Sequence, residues 1–280
     1  MHVSVSTASG VKIIPQQLFI TGTDTDIGKT FVTAWLAGVF LALGKKVAVY
    51  KPVQTGVTTP EVGDACWVAK QWHYHPNLTV KTSFYFEEPA APSVADETGA
   101  VSFYQLLADF ETLKATHDVV LVEGAGGVLC PIRKYLFMAD LIRHLKLPAL
   151  VVTRPNLGTI NHTLMSIEVL RGRGVTPCGI LINEGANTLS KEEASSLAVR
   201  TVASELTKYA GTPLWPSLPH IKDYRQLCVE DTLHWYGQLA QQYTQQLQQQ
   251  QLLLNNASAH SLLTVQQHHH QHSSGCGCGQ

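Results

Sequence analysis

The chain has 280 residues, with 20 Lys+Arg against 21 Asp+Glu and a formal charge of −1. Charged residues make up 15% of it, below the roughly 25% usual in soluble proteins, while a hydrophobic share of 45% supplies an ordinary core. Near-neutrality excludes a nucleic-acid binder that relies on a basic surface, and with neither a Gly period nor a sustained heptad the collagen and coiled-coil classes are excluded too. Cys66, Cys130, Cys178 and Cys228 are scattered singly, which fits neither a disulfide framework nor a zinc site and points to a reduced, cytoplasmic compartment. Residues 1–17 lack the apolar core of a signal peptide, and the longest apolar stretch, Phe31–Leu43, is too short to span a bilayer. A soluble protein with no membrane or nucleic-acid partner is expected.

Residues 1–16 are small and polar and read as a flexible N-terminal arm. Leu18–Thr21 reads as a buried strand, residues 22–29 as a loop, and Thr30–Leu43 as a helix. In that helix Val32, Trp35, Leu36, Val39, Phe40 and Leu43 recur at helical spacing, and Gly44 stands where helices favour a terminal glycine. Val47–Tyr50, Asp118–Val122, Ala149–Thr153 and Gly179–Asn183 read as further apolar strands. Helices are expected over Ser102–Ala115, Ala139–Leu145, Thr159–Arg171 and Lys191–Lys208. Fully apolar strands alternating with helices predict one α/β domain over 17–240, a mostly parallel sheet with helices on both faces and right-handed crossovers. After Asp231 the chain changes, because residues 232–280 contain no Asp, Glu, Lys or Arg. Gln238–Leu254 could extend a terminal helix, and 241–280 read as a low-complexity Gln/His-rich tail, disordered at its end. Its histidines, Cys276 and Cys278 read as solvated rather than metal-binding, since ordering them costs entropy.

The strongest local signal is the run Gly22-Thr-Asp-Thr-Asp-Ile-Gly-Lys-Thr30 between a strand and a helix. Such a loop turns successive backbone N–H groups toward one point beside the positive end of a helix dipole. Lys29 adds a charge for the phosphates, and the Thr30 hydroxyl suits Mg²⁺. The usual phosphate-loop pattern has glycine at the position of Thr23; here it lies one residue earlier, at Gly22. The plain alternative is a glycine-rich turn before a core helix. Lys51, Asp64 and Glu123 follow other strands, on the edge where open α/β sheets place ligands. Singly they are a surface lysine, a helix cap and a loop carboxylate. Jointly, two acids and Thr30 make an oxygen site for a hard cation, and two lysines suit a transferring phosphoryl group. All four of these charges are expected in loops.

Taken together, GTDTDIGKT (22–30), YKPVQTG (50–56), GDA (63–65), VEGAGG (122–127), LGTINHTL (157–164) and the strand ending in Asn183 resemble the dethiobiotin synthetase family, ATP-dependent carboxylases of biotin biosynthesis with a P-loop NTPase fold. The resemblance runs from Phe19 to His220, and the early glycine of the loop is that family's usual form. It implies a cytoplasmic ligase, a homodimer with shared active sites. The implied reaction turns 7,8-diaminononanoate (diaminopelargonate), CO₂ and ATP into dethiobiotin, ADP and phosphate, through a carbamate and a carbamic–phosphoric mixed anhydride. By the same resemblance Lys29, Lys51 and Thr25 are catalytic, and Thr30, Asp64 and Glu123 hold Mg²⁺. Asp26, Ile27, Gly28, Lys29, Thr30, Glu123, Asn183 and Pro219 surround the nucleotide. Thr55 meets the substrate, and Gly158, Thr159, Ile160 and Asn161 hold its carboxylate across the dimer interface, the plain alternative there being a capped helix start. Cys130 reads as a reactive thiol or as a small apolar filler.

Other functions on this framework fit less well. A ParA/MinD-like ATPase carries a lysine early in its loop, where this chain has Ile20-Thr21-Gly22-Thr23, and often a basic membrane helix. A cobyrinate-type amide synthetase needs a glutaminase domain, for which the sequence after Asn183 is too short. A non-catalytic regulatory module would have no use for the set Lys29, Lys51, Asp64 and Glu123.

Overall fold

The apolar runs become the strands of one sheet. In chain order the strands are β1 (Gln17–Gly22), β2 (Val47–Thr55), β3 (Leu78–Phe86), β4 (Val119–Glu123), β5 (Pro131–Arg133), β6 (Leu136–Phe137), β7 (Ala149–Thr153) and β8 (Pro177–Ile182). β5 and β6 form a small antiparallel pair, and the other six make one sheet in the order β3-β2-β4-β1-β7-β8. Every neighbour in that sheet runs parallel, as the alternation of strands and helices predicts. The computed structural model describes residues 14–186, 197–218, 228–242 and 244–245. Ile14–Tyr236 forms one compact unit; in the other unit, residues 237–242 and 244–245 are helical. No helix among the described residues is long and apolar enough to cross a membrane.

The helices are α1 (Lys29–Ala42), α2 (Asp64–Gln71), α3 (Pro92–Ala95), α4 (Phe103–Thr116), α5 (Met138–Leu145) and α6 (Thr159–Gly172), followed by Leu197–Arg200 and Val202–Tyr209. Side chains alternate across a strand, and the alternation divides the core. Phe19, Tyr50, Val120 and Val122 pack with Leu106 and Phe110 of α4, Leu141 and Ile142 of α5, and Ile167 and Leu170 of α6. Leu18, Ile20, Val49 and Leu121, equally buried, face the opposite side, where α1 lies. Each such fully buried side chain contributes about 1.5–3 kcal/mol. Trp72, just past α2, donates its indole N–H to the Ala34 carbonyl of α1 at 2.8 Å and so pins the two helices together.

Register aligns the ligand edge. Ile20 pairs with Glu123, and Tyr50 with Val122. Tyr50 and Val122 enter the same core, so the next residues, Lys51 and Glu123, emerge together on the other face, Glu123 at the end of β4 and Lys51 where β2 runs on past β4.

Several expectations are corrected. β2 does not stop at Tyr50 but continues to Thr55, paired with β3 through Thr55↔Phe86. β3 is an edge strand, most of whose residues are only half-buried, so it lacks the apolar run that marks the inner strands. The four cleft charges are not in loops: Lys29 and Asp64 open α1 and α2, Lys51 lies within β2, and Glu123 ends β4. The helix expected over Lys191–Lys208 is interrupted at Thr201, a turn residue between Leu197–Arg200 and Val202–Tyr209; its first part, 191–196, lies outside the described residues, as do Pro219, the arm before Ile14 and the tail after residue 245.

Candidate active site

The loop between β1 and α1 is shaped by its own polar groups. The Asp24 carboxylate accepts the Thr25 N–H at 2.7 Å, and the Asp24 carbonyl accepts from Lys29 Nζ at 2.8 Å. Asp26 (φ 55°) and Gly28 (φ 83°) both take left-handed backbone conformations, a conformation glycine adopts at no steric cost and aspartate with tolerance. Gly28 thereby brings the chain into α1 with the free N–H groups of the first turn exposed toward the cleft. The side chain of Asn183, just after β8, donates to the Ile27 carbonyl at 3.1 Å and accepts from Gly185 N–H at 3.2 Å. That buried amide clamps the loop from the end of β8, two strands away from β1.

Around the loop stands a cluster of charges. Lys51 Nζ lies 2.5 Å from Asp64 Oδ2, 2.8 Å from Glu123 Oε1 and 3.1 Å from the Gly124 carbonyl, so each of its three N–H donors has an acceptor. Thr30 donates its hydroxyl to the same Glu123 Oε1 at 2.8 Å. Burial works against the Lys51 ammonium, but Glu123 and Asp64 outweigh it and hold its pKa above the ordinary lysine value. Burial alone would raise Asp64 as well, yet Lys51 beside it keeps that carboxyl below its usual range. Glu123, 1% exposed, is pushed up by burial and by the Asp64 charge despite Lys51. Lys29 is lowered to about 8, by burial first and then by the Lys51 charge.

These residues line a cavity of about 610 Å³ that contains Thr25, Asp26, Gly28, Lys29, Thr30, Lys51, Thr55, Asp64, Glu123 and Asn183. It thus gathers most of the residues singled out in the sequence. Gln54, Trp67 and Gly126 also line it and were not anticipated, although Gln54 lies inside the YKPVQTG run. A second cavity of about 450 Å³ adjoins it, sharing Thr25 and Gly126 and reaching Thr23, Cys130 and His162. Burial pushes the Cys130 thiol up against the opposing pull of Lys29 and Lys51, which favours the apolar-filler reading over a reactive thiolate.

The segment Gly158–Asn161 lines neither cavity. Gly158 (φ 88°) turns the chain into α6. Thr159 gives its single hydroxyl proton to the Arg154 carbonyl at 2.6 Å, so the buried Thr153 hydroxyl, 2.7 Å away, donates to Thr159 and accepts from Thr163 at 3.1 Å. Ile160 is half-buried and Asn161 exposed, and Leu157 just before them is 87% exposed.

The oxygen groups suit a hard cation. Glu123 Oε2 is buried without a hydrogen-bond partner among the described residues, and carboxylate and hydroxyl oxygens are the ligands Mg²⁺ prefers. No group of three or more His, Cys, Asp or Glu side chains placed to hold a metal occurs among the described residues. Thr30, Asp64 and Glu123 would therefore supply part of a coordination shell that phosphate and water complete, which is the usual manner of Mg²⁺.

A family model described as an AAA domain matches residues 16–226. The ATP-dependent dethiobiotin synthetase BioD of Methanococcus vannielii is 38% identical over 168 residues, 59% of this chain and 78% of that protein. The protein of the same name from Thermodesulfovibrio yellowstonii is 32% identical over 227 residues, 76% of this chain and 92% of its own length. Among solved structures, the MinC:MinD cell division protein complex of Aquifex aeolicus aligns with a TM-score of 0.49 at 16% identity, over 75% of this chain and 85% of that one.

Proposed function

The chain belongs to the ATP-dependent dethiobiotin synthetases, and from that membership we propose that it closes the ureido ring of dethiobiotin from diaminopelargonate, CO₂ and ATP with Mg²⁺, as a cytoplasmic homodimer. The observation that carries this reading is the cluster of Lys51, Asp64, Glu123 and Thr30 beside Lys29 at the mouth of the phosphate loop.

An amine of the substrate captures CO₂ and loses a proton to become a carbamate, whose oxygen attacks the γ-phosphate and displaces ADP, leaving a carbamic–phosphoric mixed anhydride. The second amine then attacks the activated carbonyl and expels phosphate. Alignment and charge stabilisation carry most of such a reaction. The N–H groups at the start of α1 and Lys29 receive the phosphates, and Lys51 stands between the phosphate loop and the substrate side. Lys51 spends all three N–H groups on protein acceptors, so contact with the carbamate requires it to give one up. Thr25, shared by the two adjoining cavities, is assigned contact with both nucleotide and diamine, and Thr55, in the lining of the larger one, a hydrogen bond to the diamine or its carbamate. When bound, Mg²⁺ supplies neutralisation of phosphate charge, and Thr30, Asp64 and Glu123 would hold it. Asn183 retains one amide N–H and one oxygen lone pair beyond its bonds to Ile27 and Gly185, enough to read a base edge; the role of Pro219 beside the nucleotide rests on the family resemblance alone.

Gly158–Asn161 is assigned to the substrate carboxylate of a partner protomer, since it lines neither cavity of its own chain. The exposed Leu157 and Met165 flanking that segment support a protein contact there. The decisive experiment is ATP hydrolysis by the purified protein with and without diaminopelargonate and bicarbonate. Diamine-dependent phosphate release with formation of dethiobiotin is expected, and turnover indifferent to the diamine would refute the assignment.

A further inference from the structure

We propose that Gln54 is a positioning residue that holds Asp64 against Thr55, setting the spacing between the metal-side carboxylate and the substrate-side hydroxyl of the cleft; this rests on the magnesium-dependent reading above. Gln54 is 7% exposed and is the penultimate residue of β2. Its Oε1 accepts the Asp64 backbone N–H at 3.0 Å, and its Nε2 donates to the Thr55 carbonyl at 3.0 Å.

Both partners need such a tie. The first N–H groups of a helix have no partner within it, and the residue before α2 is Gly63, which has no side chain with which to cap. Gln54 meets the Asp64 N–H from another element instead. Beyond Tyr50, β2 has lost β4 as a neighbour and pairs with β3 alone, so its far end is held to α2 by this side chain. A primary amide of this length alone suits the task. A carboxylate accepts but does not donate, an ammonium donates but does not accept, and asparagine is one methylene short. Neutrality matters as well, because Asp64 and Glu123 already share Lys51 and a third carboxylate would repel both. Gly63 completes the arrangement: a Cβ there would stand 3.2 Å from both Cγ and Oε1 of Gln54, closer than the pair tolerates without shifting. Two motif residues without a chemical role of their own, Gln54 and Gly63, are thus accounted for together. Groups that orient metal-binding side chains from behind commonly govern metal affinity.

The test is calorimetric binding of ADP to the full chain, with Mg²⁺ and in EDTA. Gln54→Met removes both hydrogen bonds at similar volume, and Gly63→Ala crowds the amide from the other side, so either variant carries the test if the other fails to fold. The Mg²⁺-dependent gain in ADP affinity should fall about tenfold in each, with affinity in EDTA nearly unchanged. Equal losses with and without Mg²⁺ would mean general loosening of the cleft and would overturn the proposal. If the wild type gains affinity from Mg²⁺ and the variants gain as much, Gln54 alone loses its role. If the wild type itself gains nothing from Mg²⁺, the magnesium reading fails and this proposal with it.

Discussion

Replacing Lys51 with Met keeps most of the length of the side chain, short of its terminal atom, and removes its charge, which tests the electrostatic role of one buried ammonium. Two carboxylates lose their partner. Asp64 has a side chain 34% exposed and recovers water, so its share is at most about 1 kcal/mol. Glu123 is fully enclosed and keeps only the Thr30 hydroxyl. Breaking a buried pair costs about 3–5 kcal/mol if the remaining charge persists, but Glu123 has the option of binding a proton. From its ordinary value of 4.5 to pH 7, that costs about 1.4 kcal/mol per pH unit, or about 3.4 kcal/mol, which caps the penalty. At pH 5 the same sum gives about 0.7 kcal/mol. The direction follows from proton linkage. Without Lys51 the folded carboxyl keeps a proton that the unfolded chain releases above its ordinary pKa, so the variant loses stability as pH rises through that window. Urea unfolding of both proteins from pH 5 to 7 measures the gap, which should widen with pH. At about 2–4 °C per kcal/mol for a domain of this size, the melting temperatures should differ by at most about 7–14 °C at pH 7. A gap independent of pH, or one below about 1 kcal/mol at pH 7, would refute the reasoning.

Lys29, lowered to about 8 by burial and then by Lys51, is largely neutral in the free protein above that value, and a phosphate favours its ammonium. ADP binding should therefore take up most of a proton at about pH 8.5 and almost none at about pH 6.5, read from calorimetry in buffers of different ionisation enthalpy; no buffer dependence at the higher pH would contradict it. Thr153→Val strips the hydroxyl that both donates to Thr159 and accepts from Thr163 and should cost about 1–3 kcal/mol in urea unfolding, with Thr153→Ser retaining most of it. A larger loss in Thr153→Ser than in Thr153→Val would show that the methyl, not the hydroxyl, matters. Leu157→Asp places a charge beside Gly158 and should turn a dimer into monomers by light scattering while raising the KM for the diamine; an unchanged mass would remove this face from the interface.

The inner sheet was legible because β1, β4 and β7 are buried on both faces and leave uninterrupted apolar runs. β3 was not, for the opposite reason: as an edge strand it mixes Thr79, Lys81, Ser83 and Tyr85 with apolar residues. Its period-two alternation was there to be read. Missing β3 also concealed that Lys51–Thr55 is strand, since that stretch pairs with β3 only. In the cleft, Lys29, Thr30, Lys51, Asp64 and Glu123 could be singled out because their residue types match phosphate and metal chemistry at strand and helix ends. Gln54 and Gly63 could not, because their task depends on the approach of two elements ten residues apart in sequence. Gly158–Asn161 lines neither cavity of its own chain, so the role the family resemblance implies for it rests on the proposed dimer, while the sequence alone reads equally as the start of α6.

The larger cavity sets two lysines, Lys29 and Lys51, against three carboxylates, Asp26, Asp64 and Glu123, so its lining is formally one unit negative. A polyphosphate approaching through water therefore meets no long-range attraction from the walls, unlike a funnel lined with arginines. Capture falls to groups acting over a few ångströms, the N–H array at the start of α1 and whatever cation travels with the nucleotide. Encounter rates governed in this way respond little to ionic strength, and a nucleotide stripped of its counterion enters at a disadvantage before any contact is made.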